Sequence, residues 1–151
     1  MAFNTIKLKK YLDVIIERAA QSTIKPGMVL ELTQYNTVQP HSDLGGEVAP
    51  PMFALEDELQ GGGIATDYAG TNKVQVWVAQ RGECVYALLA DGQDVDIGTP
   101  LKSNGDGMLT IYTKDDSDAT GHQSSIVAIA LEAVDTSGSL SAGERIQVMV
   151  V

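Results

Sequence analysis

The chain of 151 residues has one cysteine, Cys84, and only two histidines, His41 and His122. A single thiol excludes an intrachain disulfide framework and a cysteine cluster for zinc, so stability has to come from packing or from association with other chains. Cys84 begins an apolar segment, where cysteine usually packs as a small core residue rather than acting as a nucleophile beside a histidine. The histidines lie in separate polar segments, which favours surface positions over a metal site.

Long apolar runs are also missing. Predominantly apolar stretches such as residues 126–131 and 146–151 are far shorter than the roughly 18 residues that cross a bilayer. Near the N-terminus, Asp13 and Glu17 interrupt the apolar stretch that a secretory signal requires. We therefore expect a protein that is made in the cytoplasm and has no membrane partner.

Basic side chains are scarce, because ten lysines and arginines stand against 20 aspartates and glutamates, a net charge of −10. An acidic surface repels a phosphate backbone, so the composition disfavours direct binding of nucleic acid. The charge is uneven along the chain. Residues 1–25 carry five basic and two acidic side chains, a net charge of +3, which leaves −13 for residues 26–151. We interpret the first segment as an N-terminal arm on an acidic body.

A Lys-Pro-Gly turn at residues 25–27 separates the predicted arm from the body. Within the arm, Leu8, Leu12 and Ile15 recur at helical spacing, whereas the β-branched run at residues 14–16 suits a strand equally well. The arm is therefore predicted to be extended or partly helical.

Aromatic residues make up only 5% of the chain, whereas glycine occurs 15 times, which favours short strands and turns over a helical bundle. Apolar alternation, or an apolar run on both faces, predicts strands over 28–33, 73–79, 84–90, 125–134 and 144–151. The second and third of these flank a four-residue turn and are predicted to form a hairpin. Asn-Gly and Asp-Gly pairs at residues 104–107 predict another reversal. The sequence thus predicts a mainly β fold with a small barrel or sandwich as its body.

Motifs that carry chemistry are incomplete in this chain. Residues 116–121 are similar to the first half of a calcium loop, but the acid needed at the twelfth position is Val127. The glycines at 61–63 lack the Lys-Ser/Thr pair of a phosphate-binding loop. Glu56 and Glu58 could act in general acid–base catalysis, although exposed carboxylates are the simpler interpretation. We predict that the protein is not an enzyme and that it has no cofactor and no metal.

The predicted arm is rich in apolar and basic side chains, and its apolar side chains have little reason to stay in water on an isolated monomer. This combination favours attachment to a larger assembly over packing on the chain's own body. The residues predicted to make that attachment are Phe3, Ile6, Lys7, Leu8, Lys9, Lys10, Tyr11 and Ile15.

Several segments, taken in order and spacing, resemble the capsid decoration (cement) proteins of tailed double-stranded DNA bacteriophages. The resemblance extends over nearly all of residues 14–151. The segments that carry it are 24–32, 38–41, 53–61, 74–78, 85–93, 103–107, 130–135 and 145–148.

The resemblance implies a tulip-like β-barrel body preceded by an arm that lies on the capsid lattice. It implies a virion protein that is made in the cytoplasm of the host bacterium and binds the outer surface of the expanded head. Such proteins sit as homotrimers at three-fold and quasi-three-fold positions and bridge neighbouring copies of the major capsid protein. On this basis the shell is stabilised against the internal pressure of packed DNA, and the protein is not an enzyme.

A second set of residues is predicted to form contacts between protomers. If Val74, Val76 and Val78 fill a core, Trp77 faces the other way, and we expect its indole to lie against a loop or a neighbouring chain. The full set comprises Phe53, Leu55, Glu56, Leu59 and Trp77.

The alternative comes from a different class of protein. Residues 92–101 are similar to the turn pattern of biotinyl- and lipoyl-carrier barrels, in which a hairpin tip holds the modified lysine. No Met-Lys or Asp-Lys pair occupies a compatible tip in this chain. A carrier would therefore lack its attachment residue.

Overall fold

The computed structural model describes residues 4–9, 14–113, 125–138 and 143–151, and no α-helix occurs within these ranges. A short 3₁₀ helix spans Glu58–Gln60. The strands are β1 (Lys7–Lys9), β2 (Ile15–Ala19), β3 (Val29–Leu32), β4 (Val38–Pro40), β5 (Met52–Ala54), β6 (Lys73–Val78), β7 (Cys84–Leu89), β8 (Asp94–Val95), β9 (Pro100–Ser103), β10 (Leu109–Ile111), β11 (Ile126–Ala130), β12 (Val134–Asp135) and β13 (Glu144–Val150). The predicted mainly β fold is confirmed, and the described parts of the predicted arm include strands and no helix.

Five strands close into a barrel. Their order is β7-β10-β9-β11-β13, and β13 returns to pair with β7. The β7–β13 pairing is antiparallel and runs from Leu89 opposite Glu144 to Cys84 opposite Met149. A parallel contact between Leu109 and Leu89 joins β10 to β7. The predicted barrel is confirmed, and β1 adds to β7 as an extra strand.

A second sheet has the order β2-β6-β5-β3-β4. Its first and last strands approach each other, because Ala20 forms a parallel bridge with Val38 and the N–H of Gln21 donates to the Val38 carbonyl at 2.8 Å. Both strands in the described part of the predicted arm are therefore built into sheets, β1 beside the barrel and β2 in the second sheet.

The predicted hairpin of residues 73–79 and 84–90 is wrong. Both strands exist, but β6 pairs with β2 and β5, whereas β7 pairs with β1, β10 and β13. The intervening turn, with Gly82 at a φ of +88°, carries the chain from one sheet to the other. The predicted reversal at residues 104–107 is confirmed, since β9 and β10 pair across it with Ser103 opposite Leu109.

The second sheet is buried on both faces because it lies between two cores. On one face Val29, Phe53 and Trp77 stand side by side on β3, β5 and β6 and join the core of the barrel. The opposite face belongs to a smaller core made of Ala20, Ile24, Leu30, Val38, Met52, Ala54, Tyr68, Val74 and Val76. Alternation in β6 therefore separates two apolar surfaces rather than an apolar surface from water.

The outer edge of β7 is covered by three segments that are distant in sequence. Two amides of this strand and that of Ala90, the residue after it, donate to carbonyls of the N-terminal segment, of the turn at residues 25–27, and of β10. The bonds are Tyr86 N–H to Ile6 at 2.8 Å, Leu88 N–H to Gly27 at 3.0 Å, and Ala90 N–H to Leu109 at 2.8 Å. The turn thus docks the second sheet on the barrel, and the Arg145 guanidinium holds it there by donating to the carbonyl of Pro26 at 2.9 Å.

We expect Gly27→Ala to destabilise the fold more than Gly98→Ala. Both glycines have left-handed backbone angles, φ +93° and +88°, which cost another residue about 1–2 kcal/mol. A Cβ at Gly27 would also lie 3.1 Å from the carbonyl oxygen of Tyr86, whereas one at Gly98 would meet nothing within 4 Å. Chemical denaturation of the two variants measures the difference, and equal losses of unfolding free energy would contradict the docking role of this turn.

Candidate interaction groove

A surface groove of about 230 Å³ lies beside the N-terminal strand, and we call it the Leu59 groove. Its lining contains five of the residues predicted from sequence to contact other proteins, two from the arm and three from the protomer set. The lining residues are Lys7, Ile15, Leu55, Glu56, Glu58, Leu59 and Gln75. The fold thus brings together side chains that the sequence separates by some 50 positions.

The groove owes its shape to the segment that follows β5. The N–H of Leu55 donates to the Gln75 carbonyl at 2.9 Å, so the chain still runs along β6, and the Leu55 side chain turns into the barrel core. Leu59 lies in the 3₁₀ helix that follows and is 87% exposed. Gly61 ends the helix with a φ of +76°, which suits glycine.

Glu56 fastens the N-terminal segment to the body. Its carboxylate accepts hydrogen bonds from the Thr5 hydroxyl at 2.5 Å and from the Ile6 backbone N–H at 3.1 Å. Hydrogen bonds to a charged acceptor are roughly twice as strong as neutral ones. The interpretation of Glu56 as an exposed carboxylate is wrong. The residue is only 6% exposed, and its two oxygens bind Thr5 and Ile6, just before β1.

Ile6 was expected to insert into another protein, but its side chain is fully buried in the core of its own barrel. Lys7 and Leu8 are half-buried, and Ile15 is 38% exposed on the second sheet. Lys9 lies in β1 opposite Cys84. The remaining predicted arm residues, Phe3, Lys10 and Tyr11, lie outside the described residues.

The predicted protomer contacts are mostly interior. Phe53 and Trp77 are fully buried and Leu55 is 4% exposed, so within one chain these side chains pack on the barrel core. Trp77 does face away from the valines of β6, as predicted, but the core of the barrel covers that face. Its expected position against a loop or a neighbour is wrong for this reason. Of the five residues, Leu59 alone presents a side chain to solvent.

His41 was expected at the surface, but it is 5% exposed. Its Nδ1 lies 2.8 Å from the Ser103 hydroxyl, and its Nε2 lies 3.3 Å from the Glu47 carbonyl and 3.9 Å from the Glu31 carboxylate. A serine, a histidine and an acid in line are the residue types of a hydrolase triad. Ser103 is fully buried, however, and its hydroxyl also accepts the N–H of Gly105. We interpret the network as a structural tie between β3, β9 and the loop after β4.

The other candidate sites named from the sequence are a thiol, a metal site and a calcium-like loop. Cys84 is a half-buried free thiol in β7, and within the described ranges no three His, Cys, Asp or Glu side chains gather as metal ligands. The calcium-like loop at residues 116–121 and His122 lie outside the described residues. No helix in the described part of the chain has the length and apolarity to cross a membrane.

We expect Glu56→Gln to loosen the N-terminal strand without unfolding the body. A neutral amide keeps the shape but replaces one accepting oxygen with a donor that faces other donors, a loss of about 1–3 kcal/mol. Hydrogen exchange at the Ile6 and Tyr86 amides measures it and should accelerate in the variant. Glu58→Gln, an exposed neighbour in the same groove, is the matched control. Equal protection in both variants would refute the clamp.

We expect the fold to lose stability in acid because of Glu31. Partial burial raises its pKa, but hydrogen bonds from Ser42 and Gln39 outweigh burial and hold the pKa below the ordinary value of 4.5. The folded pKa is lower than the unfolded one, so the carboxylate stabilises the fold fully above the unfolded pKa. This contribution is lost as the pH falls through the folded pKa.

The measurement is the melting temperature of wild type and Glu31→Gln between about pH 6 and pH 3, the window in which a carboxylate loses its charge. The wild type should be more stable at the upper end, and the two curves should converge at the lower end. A constant difference across the range would mean that the hydrogen bonds of Glu31 do not depend on its charge.

No protein-family model matches this chain, and no curated protein matches it. Among solved structures, the chain is similar to the crystal structure of the head fiber gp8.5 N base in bacteriophage phi29, with a TM-score of 0.58 and 13% sequence identity. The superposition covers 93% of this chain and 95% of that chain. At this identity the likeness is one of fold, and it extends over nearly the whole of both chains.

Proposed function

We propose that this chain is a structural protein of a bacteriophage head, and more specifically a decoration (cement) protein of a tailed phage. The observation that carries the proposal is the likeness of fold, over nearly the full length of both chains, to the base of a phage head fiber. The resemblance of residues 14–151 to phage decoration proteins supports it independently. The protein acts by binding and has no catalytic role or cofactor.

In this proposal the protein sits in the virion, on the outer surface of the expanded head. It occupies three-fold and quasi-three-fold positions as a homotrimer and bridges neighbouring copies of the major capsid protein. Binding to the assembled lattice, but not to separated subunits, stabilises the lattice by mass action. The shell then resists the outward pressure of packed DNA.

The architecture suits a clamp. Two cores share one sheet, and the N-terminal segment, the turn at residues 25–27 and β10 are all tied to β7. The two halves are therefore joined by backbone hydrogen bonds and a shared sheet, and this connection suits a protein that bridges neighbouring subunits.

The Leu59 groove is the proposed contact surface. Leu59 projects from the body beside Ile15, and a large apolar side chain at 87% exposure gains free energy by entering a partner's pocket. Lysines of the first segment, Lys7 among them, are proposed to meet acidic groups of the capsid protein.

The carrier alternative receives no support from the fold. The run that resembles a carrier turn contains β8 and the start of β9, and its loop at residues 96–99 has no lysine. Ile97 is the large apolar side chain of this loop and is 71% exposed. A covalent acyl or biotin mass on the purified chain would be needed to revive the idea.

The proposal is tested by co-sedimentation of purified protein with expanded heads that lack it and with unexpanded proheads. We expect saturable binding to the expanded heads alone. Leu59→Asp should weaken binding strongly, because it places a charge in an apolar contact. Ile97→Asp changes another exposed apolar side chain, 71% exposed against 87% for Leu59, and should bind as wild type does. Both variants should melt at the wild-type temperature.

Two results would count against this assignment. Folded wild-type protein that sediments with neither lattice would contradict attachment to the head. Binding that survives Leu59→Asp but is lost in Ile97→Asp would move the contact surface to the loop between β8 and β9.

A further inference from the structure

We propose that the seat of strand β1 is an exchange site, which accepts the N-terminal strand of a second copy of this chain in place of the chain's own. By the β1 seat we mean the Glu56 carboxylate, the Tyr86 amide, the edge of β7 at residues 84–85 and the core space filled by Ile6. The inference rests on the proposed function only in naming the head as the place where copies crowd together.

The seat recognises a defined stretch of chain. Glu56 accepts from the hydroxyl of Thr5 and from the backbone N–H of Ile6, and the Tyr86 N–H donates to the Ile6 carbonyl at 2.8 Å. The Ile6 side chain fills a fully buried position. A strand therefore fits when a residue with a hydroxyl precedes an apolar one, and residues 5–6 of any copy of this chain meet that requirement.

The occupant can leave without taking the body apart. The barrel closes through β10 and β13, so removing β1 breaks none of its pairings. The β1–β7 ladder pairs Lys7 with Val85 and Lys9 with Cys84, with a register irregularity between them. β1 is three residues long and pairs with β7 alone, so an identical strand from a neighbour can replace it without a change in any other pairing.

Exchange conserves every contact of the seat, so its cost is that of bringing two chains together. Copies held side by side on a lattice have a high effective concentration, which offsets that cost. Four residues separate Lys9 from Val14, a reach of at most about 17 Å in extended chain. Val14 of the donor must therefore lie within this distance of the β1 seat of the acceptor.

Cys84 supplies a natural reporter. Its backbone is paired with that of Lys9, and paired antiparallel residues have Cα atoms about 4.5–5.5 Å apart, within the range of a disulfide. The single variant Lys9→Cys is the calibration, and on oxidation we expect a strand in its own seat to give an intrachain disulfide. A donor carrying Lys9→Cys and Cys84→Ser, mixed with wild-type acceptor of different tag length, forms a mixed disulfide only across chains.

The mixture is oxidised gently at rising protein concentration and, separately, on expanded heads, and is then analysed on non-reducing gels. The control donor carries Lys73→Cys and Cys84→Ser, because the Lys73 side chain is 61% exposed and reports random collision. We expect the Lys9→Cys donor to cross-link at least about tenfold faster than this control, since a seated pair reacts at its effective concentration. Adding Ile6→Ser to the donor should remove the advantage.

Equal cross-linking of the two donors, in concentrated solution and on heads, would overturn exchange. A second measurement covers a donor that folds poorly. An acceptor that carries Glu56→Lys should lose the cross-link because its β1 seat is disrupted, whereas Asp96→Lys, at an exposed acid outside the Leu59 groove, should keep it. If the mixed disulfide forms in solution and the protein fails to sediment with heads, exchange stands and the proposed function falls.

Discussion

Strand β7 has one edge held by β13 and another that no single strand covers. On that second edge the amides of Tyr86, Leu88 and Ala90 meet carbonyls from the N-terminal segment, the turn at residues 25–27 and β10. A buried backbone donor left without a partner costs about 1–3 kcal/mol, so the three segments have to converge there. Closure of the barrel, docking of the second sheet and return of the N-terminus all satisfy this one edge.

This convergence decides which side chains face water. Docking the second sheet against the barrel buries the face that carries Phe53 and Trp77, while a smaller core buries the opposite face with Val76. The aromatic side chains expected to link protomers instead link the two halves of one chain. Large apolar side chains stay exposed where the backbone leaves the sheets, as at Leu59 on its 3₁₀ helix.

The sequence predicts what depends on local pattern. Alternation located the strands around Val76 and Val148, and Asn-Gly with Asp-Gly located the turn between β9 and β10. Partners of strands, however, depend on contacts distant in sequence, so the supposed hairpin of β6 and β7 failed. Periodicity separates two faces but does not say that both are covered, and spacing alone could not reveal that Glu56 reaches Ile6, 50 positions away.

Charge attracts the first segment to the body, and burial fixes its position there. It carries a net +3 against −13 for the remainder, so attraction alone would hold it loosely on the body, screened by salt. The uncharged Ile6 and the carboxylate of Glu56 convert that attraction into a fixed register. In the proposed exchange, one apolar side chain and one carboxylate hold the N-terminal strand on a lone chain. The same strand of a second copy can take its place. The same segment that completes the fold is thus the one by which neighbouring copies can be joined.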